Sequence, residues 1–118
     1  MERTAKDLAA AYYAGWKSGA WKNGQFDVEL LDPENFRYIG PMDHHDNRET
    51  FMATIVNMVG PNLEMGQVHH QLVDGNDVCT IYDCLAGPNT VPMAEWIHAE
   101  NDRITQIRLF FDSRKLAP

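Results

Sequence analysis

The sequence has few cysteines, few basic residues and no long apolar run. Its 118 residues include two cysteines, and ten lysines and arginines stand against seventeen aspartates and glutamates, for a formal net charge of −7. So few cations cannot form a basic stripe, which argues against nucleic acid and against an anionic membrane surface as partners. No stretch approaches the roughly 18 apolar residues of a membrane span. We therefore expect a single globular domain over residues 1–118.

The two cysteines also bear on the compartment. Cys79 and Cys84 are five residues apart in one predicted strand. At ~3.3 Å per residue their Cα atoms lie about 16 Å apart, which is too far for a disulfide. The N-terminal segment carries charges where a signal peptide needs an apolar core. Two free thiols and this N-terminus lead us to expect a cytoplasmic protein.

Hydrophobic spacing predicts a helix, one or two further helical turns at 26–31, a short strand, a second long helix and then four strands. Thr4 can cap a first helix, whose apolar face carries Leu8, Tyr12 and Trp16, and a second helix begins near Asp46 with Glu49 as capping-box partner. Strands are predicted at 36–39, 63–73, 78–86, 91–99 and 103–112. This order indicates an α+β fold in which a strongly curved antiparallel sheet carries the helices on its concave face. Such a cone encloses a pocket.

Four segments resemble the nuclear transport factor 2-like superfamily and, within it, the SnoaL-like proteins. They are AGWKSGAW at the end of the first helix, FRYIGP, VHHQLVDGNDVCTIYD and AEWIHAENDRITQIRLFFD. The resemblance spans nearly the whole chain. It implies the cone-shaped fold, whereas the superfamily's isomerases, epoxide hydrolases, cyclases and non-enzymatic members leave the activity open.

Strand alternation selects the candidate pocket residues. The resembling epoxide hydrolases have a catalytic carboxylate that matches Asp83, which implies that Asp83 points into the cone together with Ile81 and Leu85. In the next strand the matching inward face includes Glu95. The remaining predicted inward residues of the last two strands are Val91, Met93, Ile97, Leu109 and Phe111. A bulge that shifts the parity by one residue is the alternative, and it sends both acids to solvent.

Histidines and aromatic residues complete the candidate site. If the turn at Gly75-Asn76 has two residues, His70 pairs with Ile81 and lies near Asp83. If the turn has three residues, His69 points inward instead. Tyr13 and Trp16 are further substrate-binding candidates, although we interpret them mainly as core residues and only secondarily as pocket wall. Tyr38 is another candidate, at a position where the resembling family's pocket often has an aromatic residue.

The segment from Asp43 through His44 and His45 to Asp46 has the residue types of a metal site. Adjacent side chains point in different directions, and the sequence offers no third ligand at zinc spacing. We predict no metal and no cofactor here. The segment is interpreted as a polar lip over the pocket, from which His44 or His45 can touch a ligand.

Two acids among apolar residues favour acid–base chemistry, because burial moves a carboxyl pKa toward neutrality. We expect a cofactor-independent isomerase, cyclase or lyase acting on a small apolar carbonyl compound. Asp83 or His70 is the expected base, and protonated Glu95 or Tyr38 stabilises the enolate. The alternatives are a non-catalytic module that binds an apolar small molecule and a structural dimer with a vestigial pocket.

The resemblance to epoxide hydrolases breaks at two positions. Ile81 stands where those enzymes need an arginine, and Leu109 stands where they need an aspartate. We therefore do not expect epoxide hydrolysis. An apolar outer sheet face predicts a homodimer, and the residues assigned to that face are Val78, Tyr82, Trp96, Ile104 and Phe110.

Overall fold

The computed structural model describes residues 3–20, 25–59 and 62–115. Within these ranges, two α-helices and six strands form the fold. The helices are α1 (Ala5–Ser18) and α2 (Arg48–Thr54), the second continued by a π-helical segment (Ile55–Val59). The strands are β1 (Arg37–Ile39), β2 (His44–His45), β3 (Glu64–Asp74), β4 (Asp77–Ala86), β5 (Asn89–Glu100) and β6 (Arg103–Phe110). Three-residue 3₁₀ turns lie at Val28–Leu30 and Ser113–Lys115.

Helix α1 begins where the sequence predicts. The Thr4 hydroxyl accepts a hydrogen bond from the Asp7 amide, and the Asp7 carboxylate accepts one from the Thr4 amide, which is a complete capping box. Helix α2 begins at a different residue, because Asn47 rather than Asp46 accepts the hydrogen bond from the Thr50 amide. Both helices therefore start at a side-chain cap that satisfies amides the helix leaves unpaired.

The six strands form one curled sheet in the order β2-β1-β6-β5-β4-β3. The predicted α+β class and curved sheet are confirmed. The sheet is mixed rather than wholly antiparallel, because β1 runs parallel to β6. Helix α1 packs on the face that buries Val78, Thr80, Tyr82 and Cys84 of β4. That face is concave, and the core fills the space beneath α1.

Tight turns set the register of the central strands. Gly75-Asn76 is a two-residue turn that pairs Asp74 with Asp77, and it pairs His70 with Ile81 as predicted. Asn101 and Asp102 form the turn between β5 and β6 with φ of 52° and 66°, which is the left-handed geometry of a type I′ turn. This turn has two residues, because Glu100 pairs with Arg103.

No helix in the described part of the chain is both long and apolar enough to cross a membrane.

Candidate functional site

A cavity of about 530 Å³ lies between the concave face of the sheet and the helices. Six aromatic rings line it, from both helices and from the sheet: Tyr12, Trp16, Tyr38, Phe51, Tyr82 and Phe111. Apolar walls are added by Met65, Cys84, Met93 and Leu109, among others. This volume lies within the range of about 300–1,000 Å³ that small-molecule sites occupy.

Glu95 is the buried acid of the cavity. Its side chain comes from β5 and is only 2% exposed. Oε1 of Glu95 accepts hydrogen bonds from the hydroxyls of Tyr13, at 2.8 Å, and Tyr82, at 3.3 Å. Two elements therefore hold the same carboxyl oxygen, α1 through Tyr13 and β4 through Tyr82.

Burial makes Glu95 a titratable group near neutrality. Desolvation raises its pKa from the ordinary value of 4.5 to about 7, although the hydrogen bonds from Tyr13, Tyr82 and Tyr12 lower it. Burial, and then the charge of Glu95, raises the pKa of Tyr38 and of Tyr82. At neutral pH the cavity therefore holds a carboxyl able to take or give a proton among hydroxyls that stay protonated.

A polar cluster lies at the mouth of the cavity. The His45 ring approaches Asp43 Oδ2 with Nε2 at 2.8 Å and Thr50 Oγ1 with Nδ1 at 3.0 Å. His45 and Asp43 both line the cavity, as does exposed Glu64. The short strand β2 was not predicted, but its pairing with β1 sets His45 beside Tyr38. The described residues contain no group of three potential metal ligands.

Six predicted site residues lie at the cavity. They are Trp16, Tyr38, Met93, Glu95, Leu109 and Phe111. Tyr13 lies behind Glu95 and reaches it by a hydrogen bond, without lining the cavity in the described structure. Ile97 is fully buried core. Glu95 pairs with Leu109 of β6, and paired residues of an antiparallel sheet share a face.

The predicted inward position of Asp83 is wrong. In β4 the buried residues are Val78, Thr80, Tyr82 and Cys84, so Asp83, Ile81 and Leu85 belong to the convex face. His70 pairs with Ile81 on that face, away from the cavity. A bulge near Val68 makes His69 the partner of Asp83, with Nε2 and Oδ2 2.9 Å apart.

The length of the turn before β5 is the sequence signal that indicates which face of β4 points inward. Gly87-Pro88 is a two-residue turn, because Ala86 pairs with Asn89, and Gly87 has a φ of 59°. Continuing this register pairs Thr80 with Glu95 and Tyr82 with Met93. Paired residues of an antiparallel sheet share a face. An inward Glu95 therefore requires an inward Tyr82 and an outward Asp83.

We expect Tyr13→Phe to raise the pKa of Glu95 above 7, because the carboxylate loses its shortest hydrogen bond. A hydrogen bond to a charged group contributes about 1.5–3 kcal/mol, so the expected rise is about one to two pKa units. NMR titration of protein labelled at the glutamate carboxyl carbons measures it.

The matched control is Tyr38→Phe, which also removes one hydroxyl near Glu95. Among the described residues, the hydrogen bonds that lower the Glu95 pKa come from Tyr13, Tyr82 and Tyr12. Tyr38→Phe should therefore leave that pKa close to its wild-type value. Equal titrations in the two variants would contradict the assignment.

Solved structures similar to this chain share its whole fold. A nuclear transport factor 2-like protein of unknown function from Cytophaga hutchinsonii is 27% identical, with 98% of this chain and 96% of that chain covered and a TM-score of 0.79. A steroid delta-isomerase from Pseudomonas aeruginosa is 19% identical, with 95% and 82% covered and a TM-score of 0.76. An epoxide hydrolase from M. tuberculosis is 17% identical, with 95% and 85% covered and a TM-score of 0.72. Neither a family model nor a curated protein sequence matches the chain.

Proposed function

We propose that this chain is a single domain that performs acid–base chemistry on a small apolar carbonyl compound. Its fold is that of the nuclear transport factor 2-like superfamily. One observation carries the proposal: a carboxyl that is 2% exposed and bonded to two tyrosines lines a cavity of about 530 Å³. A pKa of about 7 suits that carboxyl to both halves of a proton transfer at neutral pH.

Glu95 is the proposed acid–base residue. Its carboxylate takes a proton from the carbon beside the carbonyl, and the electrons of the broken C–H bond form an enolate. The Tyr38 hydroxyl, kept protonated by its raised pKa, donates a hydrogen bond to the enolate oxygen. Protonated Glu95 then returns the proton to another carbon. The cycle isomerises the substrate without a cofactor.

A bicyclic β,γ-unsaturated ketone in D₂O tests this proposal. Wild-type protein should speed both deuterium exchange beside the carbonyl, measured by NMR, and conversion to the conjugated ketone, measured by ultraviolet absorption. Glu95→Gln should reduce both rates by about 10²–10⁴-fold, the usual contribution of a general base. Tyr38→Phe should slow exchange through loss of the enolate hydrogen bond.

Asp83→Asn is the matched control, since it removes one carboxylate from the convex face and should leave exchange unchanged. Loss of exchange in Asp83→Asn but not in Glu95→Gln would overturn the assignment of Glu95. If the ketone binds while exchange never exceeds the buffer rate, the non-catalytic binding module becomes the better reading of the cavity.

We also infer a homodimer through the convex sheet face, in a cytoplasmic setting. Leu72, Ile81 and Phe110 are 65%, 37% and 56% exposed, and strand pairing sets them on that one face. This membership differs from the predicted one, because Val78, Tyr82 and Ile104 are buried on the concave side. Exposed apolar side chains grouped on one sheet face are typical of a protein interface.

A further inference from the structure

Carboxyl groups outnumber basic groups among the described residues that line the cavity. Three carboxyl side chains line it, those of Asp43, Glu64 and Glu95. Among the described residues that line the cavity there is no lysine and no arginine, and the one histidine, His45, is paired with Asp43 at 2.8 Å. Asp43 and Glu64 are exposed and therefore stand at the mouth, whereas Glu95 is 2% exposed and lies deep. An anionic ligand therefore meets no lysine or arginine of the described lining, and it meets the Glu95 carboxyl at depth.

The walls of the cavity suit a positive charge. Six aromatic rings line it, and the faces of aromatic rings attract cations held within about 6 Å. Tyr12 and Tyr82 are near enough to Glu95 for its charge to raise the pKa of both. A cation beside Glu95 therefore lies in a cavity lined by aromatic rings and a carboxyl group together, at a position largely shielded from water.

We propose that the natural ligand is an organic cation, a protonated or quaternary amine on an apolar body. This rests on the proposed function, whose carbonyl substrate then also carries the cationic nitrogen. A neutral ligand of equal shape gains the same apolar burial but neither the aromatic nor the carboxylate attraction. Cation–aromatic attraction of about 0.5–2 kcal/mol adds to the pairing with Glu95, so the cation should bind at least about tenfold more tightly.

Isothermal titration of the whole protein at pH 8 with three probes tests this inference. The probes are benzyltrimethylammonium, its neutral isostere neopentylbenzene, and phenylacetate. The expected order of affinity is cation, then neutral isostere, then anion. Equal or tighter binding of neopentylbenzene overturns the inference, and so does preferred binding of phenylacetate. These comparisons use the wild-type protein and need no variant.

Two variants locate the attraction. Glu95→Gln should lower the affinity for benzyltrimethylammonium by about tenfold and leave the affinity for neopentylbenzene unchanged. Trp16→Leu should lower the affinity for the cation more than the affinity for the isostere. Asp83→Asn controls for loss of one negative charge outside the cavity, and circular dichroism verifies the fold of each variant. Similar losses for both probes in Glu95→Gln would contradict a role in holding charge.

Failure of this inference is distinguishable from failure of the proposed function. If only neopentylbenzene binds, the cavity still takes apolar ligands and the acid–base proposal stands without the cation. If the cation binds as expected but the bicyclic ketone shows no exchange, the site recognises cations without the proposed chemistry. If no probe binds, the cation inference is wrong, and the ketone assay decides the acid–base proposal by itself.

Discussion

Glu95→Gln is expected to stabilise the protein at pH 8, although it replaces a residue at the centre of the cavity. The folded state holds the pKa of Glu95 at about 7, against an ordinary value of 4.5. Ionising this carboxyl therefore costs more in the folded protein than in the unfolded chain. The difference between the two pKa values corresponds to about 3 kcal/mol of unfolding free energy.

The direction of the Glu95 pKa shift determines the pH range over which the stability changes. A group with a raised folded pKa stabilises the fold below its unfolded pKa, and that stability is lost as pH rises through its folded pKa. Wild type should therefore lose stability relative to Glu95→Gln between about pH 4.5 and a little above pH 7. Above that range the difference in unfolding free energy between wild type and Glu95→Gln is constant. Glutamine keeps an oxygen that can accept the Tyr13 hydrogen bond, so the variant retains the local structure.

Urea denaturation of both proteins across pH 4 to pH 9 measures this effect. The matched control is Glu34→Gln, which makes the same substitution at an exposed position in a turn and should give a profile parallel to wild type. Parallel profiles for wild type and Glu95→Gln would mean that Glu95 has no raised pKa in the folded protein. The proposed proton transfer at neutral pH would then lose its main support.

Phe51→Ala is expected to lower the free energy of unfolding by about 3–5 kcal/mol. Phe51 is 1% exposed and joins α2 to the sheet. Its ring lies 5.1 Å from Phe36, 4.9 Å from Tyr38 and 6.0 Å from His45, measured between ring centres. Truncation removes apolar contacts and leaves a void that the sheet cannot close. The same change enlarges the cavity and loosens Tyr38.

Phe110→Ala is the matched control for this loss. Phe110 is 56% exposed, so its truncation should change the stability of the single protomer by only about 0.5 kcal/mol. Urea denaturation at low protein concentration makes the comparison, and equal losses would show that Phe51 is not part of the packed core. Because Phe110 lies on the proposed dimer face, its effect should grow with protein concentration, whereas that of Phe51 should not.

Most of the fold could be predicted because local chemistry specifies it. Thr4 and Asp7 cap α1, and the Gly75-Asn76 turn closes the β3–β4 hairpin. The inward direction of Glu95 follows from alternation along β5, and its partners on β4 follow from the short turn at Gly87. The inward position of Asp83 was implied by the resemblance to epoxide hydrolases and is wrong, and because both faces of β4 carry apolar residues, hydrophobicity along that strand could not correct it.

Sequence alone therefore determined both helices, every strand except β2, their order and the apolar character of a central pocket, since spacing, caps and turns act over a few residues. Tertiary structure decided which acid is buried. Glu95 acquires its pKa because α1 brings Tyr13, and β4 brings Tyr82, to the same carboxyl oxygen in a site shielded from water. His69 rather than His70 meets Asp83 because a bulge shifts the register of β3. Desolvation and convergence depend on residues far apart in the chain, and no local pattern encodes them.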